Sequence, residues 1–403
     1  MMASIKKRGN TYRVIVSNGR DSSGKQIIET TTFTPDPTKT EKQNQKALQI
    51  FALEFEQKVK SGKYLDGEKI TFKDFIDTWK KDYAASHLEK TTIEAHEHLL
   101  NQHVIPVIGH LKLARIQPQH LNRLYNAMLQ ERKDGKEGGY STATITRTHA
   151  VISGILSQAV RWNIILDNPC ERVTPPKSAP VSEGIKFFTA DQASRFLAAL
   201  SADIKAEKVK EQYELLFQLA IFCGIRRGEL AALEWSDLDF NQNTVSITKS
   251  VAMTKEGTFT KVPKSRESIR TVSVPDSVME TARKHRADQL RYRLQLGSYW
   301  KGDNFVFIQE DGRRVHPSTL YSVFRRILKR YNQTAADPLP CIPFHGLRHT
   351  SATLLISQHI DPRTVSGRLG HAQTSTTLNI YAHQLQEADR KAADVLEDLL
   401  KHG

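Results

Sequence analysis

The sequence predicts a multidomain chain: a small α+β unit, then an all-α block, then a larger, mainly α domain carrying a small β-sheet. Three observations predict it. Strand-type alternation is confined to residues 11–33 and 244–275, helical periodicity fills most of the rest, and polar, breaker-rich segments at 61–70 and 174–184 interrupt both. The units they bound run over 1–62, 68–173 and 185–403. At 403 residues and 39% hydrophobic composition, the chain can fill two or three cores.

In the first unit, TYRVIVSN (11–18) and QIIETTTF (26–33) flank a GRDSSG turn and predict a hairpin. EKQNQKALQIFALEFEQKVK (41–60) sets Ala47, Ile50, Phe51, Leu53 and Phe55 at roughly helical spacing. Eleven Lys/Arg against six Asp/Glu fall in residues 1–60. A sheet with one helix on it would be basic enough to touch DNA, and plain surface charge accounts for the same numbers.

The second unit opens on TFKDFIDTWKKDYAA, where Thr71 and Asp74 approach a capping box. KTTIEAHEHLLNQHVIPVI, PQHLNRLYNAMLQERK and TATITRTHAVISGILSQAVRW continue in helical period, the last two parted by GKEGG (135–139). No strand signal interrupts them. The third unit starts with helices in DQASRFLAAL and EQYELLFQLAIF, turns strand-rich through TVSITKSV and SIRTVSVP, and returns to helices.

Charge and cysteine usage narrow the setting. With 58 Lys+Arg against 44 Asp+Glu, the net charge of +14 favours a polyanionic partner, nucleic acid being the common one. Cys170, Cys223 and Cys341 are far apart and form no CxxC pair, which predicts neither a disulfide framework nor a zinc site. MMASIKKRGNTYRV lacks the apolar core of a signal peptide. The most apolar window, YELLFQLAIFCGI (213–225), is too short to span a bilayer. A soluble, cytoplasmic protein is expected, with no membrane association.

Five stretches carry chemistry. CGIRRGELAALEW (223–235) predicts a helix ending at Gly224 and restarting near Glu229, with Arg226 at the break. From that stretch alone, a pair of surface arginines at a helix turn is the favoured reading. KVPKSRESIRTVSVP (261–275) predicts a β-hairpin with Lys264 near its tip, facing either solvent or a phosphate. PFHGLRHTSATLLI (343–356) sets His345 and Arg348 three apart, on one side of a helix turn. His345 and His349 share the i, i+4 spacing of zinc-binding HExxH helices, but the glutamate is missing and an arginine lies between them. In VSGRLGHAQTSTTLNIYAH (365–383), His371 follows a Leu-Gly turn and Tyr381 comes ten residues later. QLQEADRKAADVLEDLL (384–400) is an amphipathic terminal helix with Leu385, Ala388, Ala392, Val395, Leu396 and Leu399 on one face.

Arg226, Lys264, His345, Arg348, His371 and Tyr381 form a coherent set without clustered carboxylates. Two guanidiniums can clamp the non-bridging oxygens of a phosphodiester and stabilise a pentavalent transition state. Lysine and histidine can move protons. A tyrosine can hold a broken strand as a phosphotyrosine ester, provided cationic neighbours or a base help a phenol of pKa about 10 to ionise. A metal-dependent nuclease would need clustered Asp/Glu ligands, and these motifs contain none.

Here the sequence closely resembles the tyrosine recombinase family, the integrases of phages and conjugative transposons above all. C-G-I-R-R-G-E-L resembles its first arginine motif, with Arg226 catalytic and Glu229 the supporting acid. H-G-L-R, L-G-H and T-T-L-N-I-Y-A-H resemble the motifs that assign His345, Arg348, His371 and the nucleophile Tyr381. P-K-S-R-E-S-I-R-T-V-S-V-P resembles the lysine hairpin and points to Lys264, with Lys261 as the alternative. Ser265, Arg266 and Ser273 depart there from the usual Thr, Lys and Pro, and Cys223 stands where Thr is commoner.

The resemblance implies the tyrosine recombinase fold: an arm-type DNA-binding domain (1–62) with a three-stranded sheet and a helix, a helical core-binding domain (68–173), and a catalytic domain with a tail helix (185–403). It implies double-stranded DNA partners (element ends, arm sites and target site) and a homotetramer exchanging C-terminal helices. Lys6, Lys7, Arg8 and Arg147 are candidate DNA contacts, and an excision factor is a candidate partner. The implied reaction integrates and excises a mobile element. Tyr381 forms a 3′-phosphotyrosyl bond, and two rounds of exchange pass through a Holliday junction. Each step trades one phosphoester for another, so no cofactor, ATP or metal is implied. A DNA-binding relative without catalysis would lack some of the six residues, and all six are present. A type IB topoisomerase-like enzyme shares the set but needs neither arm domain nor tail.

Overall fold

The computed structural model describes residues 3–20, 24–60, 66–132, 137–177, 186–262, 268–370 and residue 397. The chain divides into two compact units, Met1–Pro180 and Val181–Gly403.

In the first unit, β1 (Ser4–Arg8), β2 (Thr11–Arg20) and β3 (Gln26–Phe33) form an antiparallel sheet with β2 in the middle. Ser4 pairs with Ile15, and Tyr12 with Phe33. Alternation in the sequence marks only β2 and β3. β1 is exposed along its whole length and so has no apolar face to read. Helix α1 (Glu41–Lys60) lays Leu48, Ala52, Phe55 and Val59 on Val14 and Val16 of β2. Their four-three-four spacing makes one helical stripe. Ile50 and Leu53, which the sequence places among the apolar positions, are 50% and 59% exposed because they fall off that stripe.

Helix α2 (Phe72–Trp79) begins where expected. The Thr71 hydroxyl accepts from the Asp74 amide at 3.2 Å and donates to the Asp74 carboxylate at 2.5 Å. A π-helical turn, Lys80–Ala84, joins α2 to α3 (Ala85–His87), and a second, Leu100–Val104, joins α4 (Lys90–Leu99) to α5 (Ile105–Ile108). With α6 (Pro118–Gln130) and α7 (Thr142–Arg161), they bury Phe72, Phe75, Leu121, Leu124, Ile152 and Ile155 in one core.

The second unit comprises α8 (Ala190–Lys205), α9 (Gln212–Phe222), α10 (Arg227–Ala232), β4 (Leu238–Asp239), β5 (Thr244–Ile247), β6 (Ser250–Thr254), β7 (Gly257–Lys261) and β8 (Arg270–Ser273). After these come α11 (Asp276–Leu296), α12 (Pro317–Thr334), α13 (Gly346–Ser357) and α14 (Pro362–Leu369). Helix α9 is apolar on every side and is correspondingly central, packed by α8, α11 and α13. Its Phe217 joins Phe188, Phe196, Phe324 and Phe344 in one aromatic cluster, the rings meeting at edge or tilted angles.

The strand-rich middle corrects the expected hairpin over 261–275. β7 pairs with β6, and β8 pairs with β5 in a separate sheet of order β4-β5-β8. The register sets Thr254 opposite Gly257, so the two-residue connection Lys255-Glu256 closes β6 on β7. That local closure takes the strand partner that the sequence reading gives to β8. Lys264, His371, Tyr381 and the amphipathic segment 384–400, Glu397 excepted, lie outside the described residues. No helix among the described residues is long and apolar enough to cross a membrane.

Candidate active site

The site gathers where three segments of the second unit meet: the α9–α10 break, the start of α13 and the end of α14. Helix α9 stops at Phe222, and Gly224 turns the chain with φ +62°. Arg226 then takes the N-cap of α10. Glu229, three residues on, reaches back, and its Oε2 accepts from the Arg226 amide at 2.9 Å. Its Oε1 accepts from Arg226 Nη1, also at 2.9 Å. The helix start therefore orients the arginine side chain as well as its own backbone.

The final carbonyls of a helix have no intrahelical partner, and the macrodipole makes that end negative. In α14 they are used as a socket for arginines. Arg270 Nε donates to Arg368 O at 2.9 Å, Arg348 Nη2 to Leu369 O, and Arg226 Nη2 to Gly370 O at 2.8 Å. Three guanidiniums from three elements thus hold three successive carbonyls. The residue after this socket is His371.

Arg348, only 2% exposed, also donates Nη1 to Gly224 O at 2.8 Å. Arg226 keeps 34% of its side chain open to solvent. Of the two arginines expected to meet a phosphate, Arg226 is the one presented at the surface, and Arg348 sits behind it as a fixed buried charge.

Gly224 is required twice, for its left-handed backbone and for space. A Cβ there would stand 2.3 Å from Leu369 Cδ2. Gly224→Ala is expected to cost roughly 2–4 kcal/mol from αL strain and overpacking and to displace the carbonyl that holds Arg348. Denaturant midpoints check this. A midpoint unchanged from wild type would contradict it.

Glu229 is 3% exposed. Burial pushes its carboxyl up, but hydrogen bonds and charge from Arg270, with Arg226 adding to them, hold it below the usual carboxylate range. Arg270 grips it with both Nη atoms, at 3.2 Å to Oε1 and 2.8 Å to Oε2. With the two Arg226 bonds, both oxygens have two donors each, so Glu229 is ionised and has no lone pair left for general-base work.

His345 caps the start of α13, with one side open to solvent. Its ring meets His349 edge to face, centroids 4.7 Å apart. Desolvation, then His349, Arg348 and Arg226, push its pKa down to about 4. Burial and Arg348 lower His349 as well. At neutral pH His345 is therefore uncharged, with one donor and one acceptor nitrogen. The same arginines oppose a cation, and among the described residues no three metal-ligating side chains cluster.

The structure thus brings Arg226, Glu229, His345 and Arg348 together. Lys264, His371 and Tyr381 lie outside the described residues, while Lys261, the alternative lysine, is half-buried at the end of β7. Lys6, Lys7 and Arg8 are exposed on β1, and Arg147 is exposed on α7, all in the first unit. Arg270 is the residue that sequence reasoning missed. Its signal lay in SIRTVSVP, where Arg270 shares the inward face with Val272 and Val274, 2% and 5% exposed. A charge in phase with buried valines needs a buried partner.

Comparison with known proteins agrees with this geometry. The Phage integrase family matches residues 186–388, and the "Phage integrase, N-terminal SAM-like domain" matches residues 71–129. A tyrosine recombinase XerC-like protein of Caldanaerobacter subterraneus subsp. tengcongensis is 28% identical over 412 residues, covering 98% of each chain. The Tn1549 transposon integrase, solved in complex with transposon right end DNA, superposes with TM-score 0.67 at 20% identity, over 81% of this chain and all of that one. A lambda integrase tetramer bound to a Holliday junction gives 0.53 at 17% identity, over 92% and 96% of the two chains. On these matches, with the arginine–histidine site they span, the chain belongs to the phage integrase family of tyrosine recombinases.

Proposed function

We propose that this protein is a site-specific DNA recombinase that integrates and excises a mobile element, cutting and rejoining strands through a 3′-phosphotyrosyl intermediate on Tyr381. The observation that carries the reading is that Arg226 and Arg348 meet at the α14 terminus, within the electrostatic reach of His345 and one residue before His371 in the sequence. Two fixed guanidiniums beside a neutral imidazole suit a phosphodiester whose charge rises at the transition state. Arg226 contacts the scissile phosphate, Arg348 adds buried positive charge, and Glu229 orients Arg226. His345 and His371 donate hydrogen bonds or move protons, and Lys264 protonates the leaving 5′-oxygen. A phosphate arriving at His345 removes part of the positive field that depresses its pKa, so binding is coupled to proton uptake there.

The relatives solved on transposon-end DNA and as a tetramer on a Holliday junction support duplex DNA as substrate and a tetramer as the working assembly; exchange of the tail helices rests on the family resemblance alone. On this reading 1–62 binds arm sites, 68–173 binds the core site, 185–403 performs chemistry, and the enzyme acts on cytoplasmic DNA. Lys6, Lys7 and Arg8 then touch arm-site phosphates and Arg147 the core site. A plasmid carrying joined element ends and a target site tests it. Recombinant product is expected only when both are present, and relaxation of a plasmid lacking them would favour the topoisomerase reading instead.

Binding should be steeply salt-dependent, since the net charge is +14. Affinity for an element end is expected to fall about 10³-fold or more between roughly 50 and 200 mM salt, as for six or more phosphate contacts. A flat titration would contradict a basic DNA-binding surface.

A further inference from the structure

We propose that Arg270 is a positioning residue for strand cleavage, acting through Glu229 on Arg226. This rests on the recombinase reading above. Arg270 is 9% exposed and points inward from β8, so it is not itself a phosphate ligand. Its guanidinium fork closes on both oxygens of Glu229, the carboxylate that fixes the Arg226 amide and Nη1. Its Nε meanwhile holds Arg368 O, the carbonyl just before the two that hold Arg348 and Arg226. Arg270 therefore ties the supporting acid to the same socket that seats both arginines. A shift of Glu229 would be passed directly to the only one of them that faces solvent.

Among the described residues, the charged and titratable groups facing Glu229 are few. Arg226 meets it from the start of α10, Arg270 from β8, and His345 acts on it from the start of α13. Lys249, just before β6, is engaged by Glu234 and Asp237, and Arg368 of α14 is engaged by Phe222 O and Ser273 O. Without Arg270, Arg226 would be left to oppose the effect of burial, and Glu229 would take up a proton at higher pH than now. A protonated Glu229 holds Arg226 more weakly, so cleavage acquires an acid limb set by this carboxyl.

The experiment measures single-turnover cleavage of a nicked suicide substrate at saturating protein, from pH 5.5 to 9 (about the working range of such assays). Arg270→Met is expected to slow cleavage about 10²-fold at neutral pH, as a misplaced catalytic group does, with DNA affinity unchanged and the loss shrinking as pH rises. In a Glu229→Gln background, where position 229 cannot titrate, the same substitution should add no more than about 2-fold and no pH dependence. Arg270→Lys keeps the charge without the fork and should slow wild type while leaving the Glu229→Gln protein unchanged. That pair settles the question even if Arg270→Met does not fold. A merely structural role predicts an equal loss at every pH and in both backgrounds, and either result would overturn the proposal. The wild-type reaction separates the two readings. No Tyr381 adduct with wild type sinks the recombinase reading itself, whereas a normal adduct with indifferent Arg270 variants sinks only this inference.

Discussion

Arg348→Lys is expected to slow DNA cleavage by about 10²–10³-fold while leaving affinity for the element end nearly unchanged. The magnitude is that of displacing a fixed catalytic charge and the arginine seated beside it from their working geometry. Charge is conserved in this substitution, so the loss reports geometry. Arg348 spans two carbonyls of separate elements, Gly224 O after α9 and Leu369 O at the end of α14. A guanidinium does this with a rigid fork, whereas an ammonium on a flexible stem reaches one carbonyl at a time. With lysine, one carbonyl in a buried site loses its donor, and the link that sets α14 against the α9–α10 break goes slack. Because Arg348 is 2% exposed, little of its effect should show in ground-state binding. Filter binding and single-turnover cleavage on the same duplex measure the two quantities. A cleavage rate within a few-fold of wild type would mean that the socket at the end of α14 is irrelevant to chemistry.

What the sequence made legible follows from where information resides. The motif residues were legible because side-chain chemistry is concentrated in them. Arg226 at a helix break, with His345 and Arg348 at a helix start, stands in the structure as the spacing suggested. The socket was not legible, since it is made of main-chain carbonyls at 368–370, which any residue supplies. Arg270 was half legible. Its inward phase with Val272 and Val274 could be read, but its partner Glu229 lies 41 residues earlier on another element. The hairpin over 261–275 was misread because alternation identifies strands and not their partners, and the Lys255-Glu256 turn gave β7 to β6. β1 went unread for the opposite reason, being a strand with no buried face. On α1 the apolar positions outnumber one stripe, so periodicity alone did not separate Leu48 and Val59 from the exposed Ile50 and Leu53.

The second large effect is expected at Tyr381, and it tests the central claim most directly. A phenol is the atom donor of the covalent intermediate, so removing one oxygen leaves nothing to attack the phosphate. The fixed charges of Arg226 and Arg348 remain, and DNA binding should survive. The measurement is a nicked suicide duplex carrying the element end, incubated with wild type or Tyr381→Phe in excess EDTA and resolved on a denaturing gel. A DNA–protein adduct with wild type alone is the predicted result, and it establishes a tyrosine nucleophile working without a divalent metal. An adduct that persists in Tyr381→Phe, or cleavage that EDTA abolishes, would contradict the account.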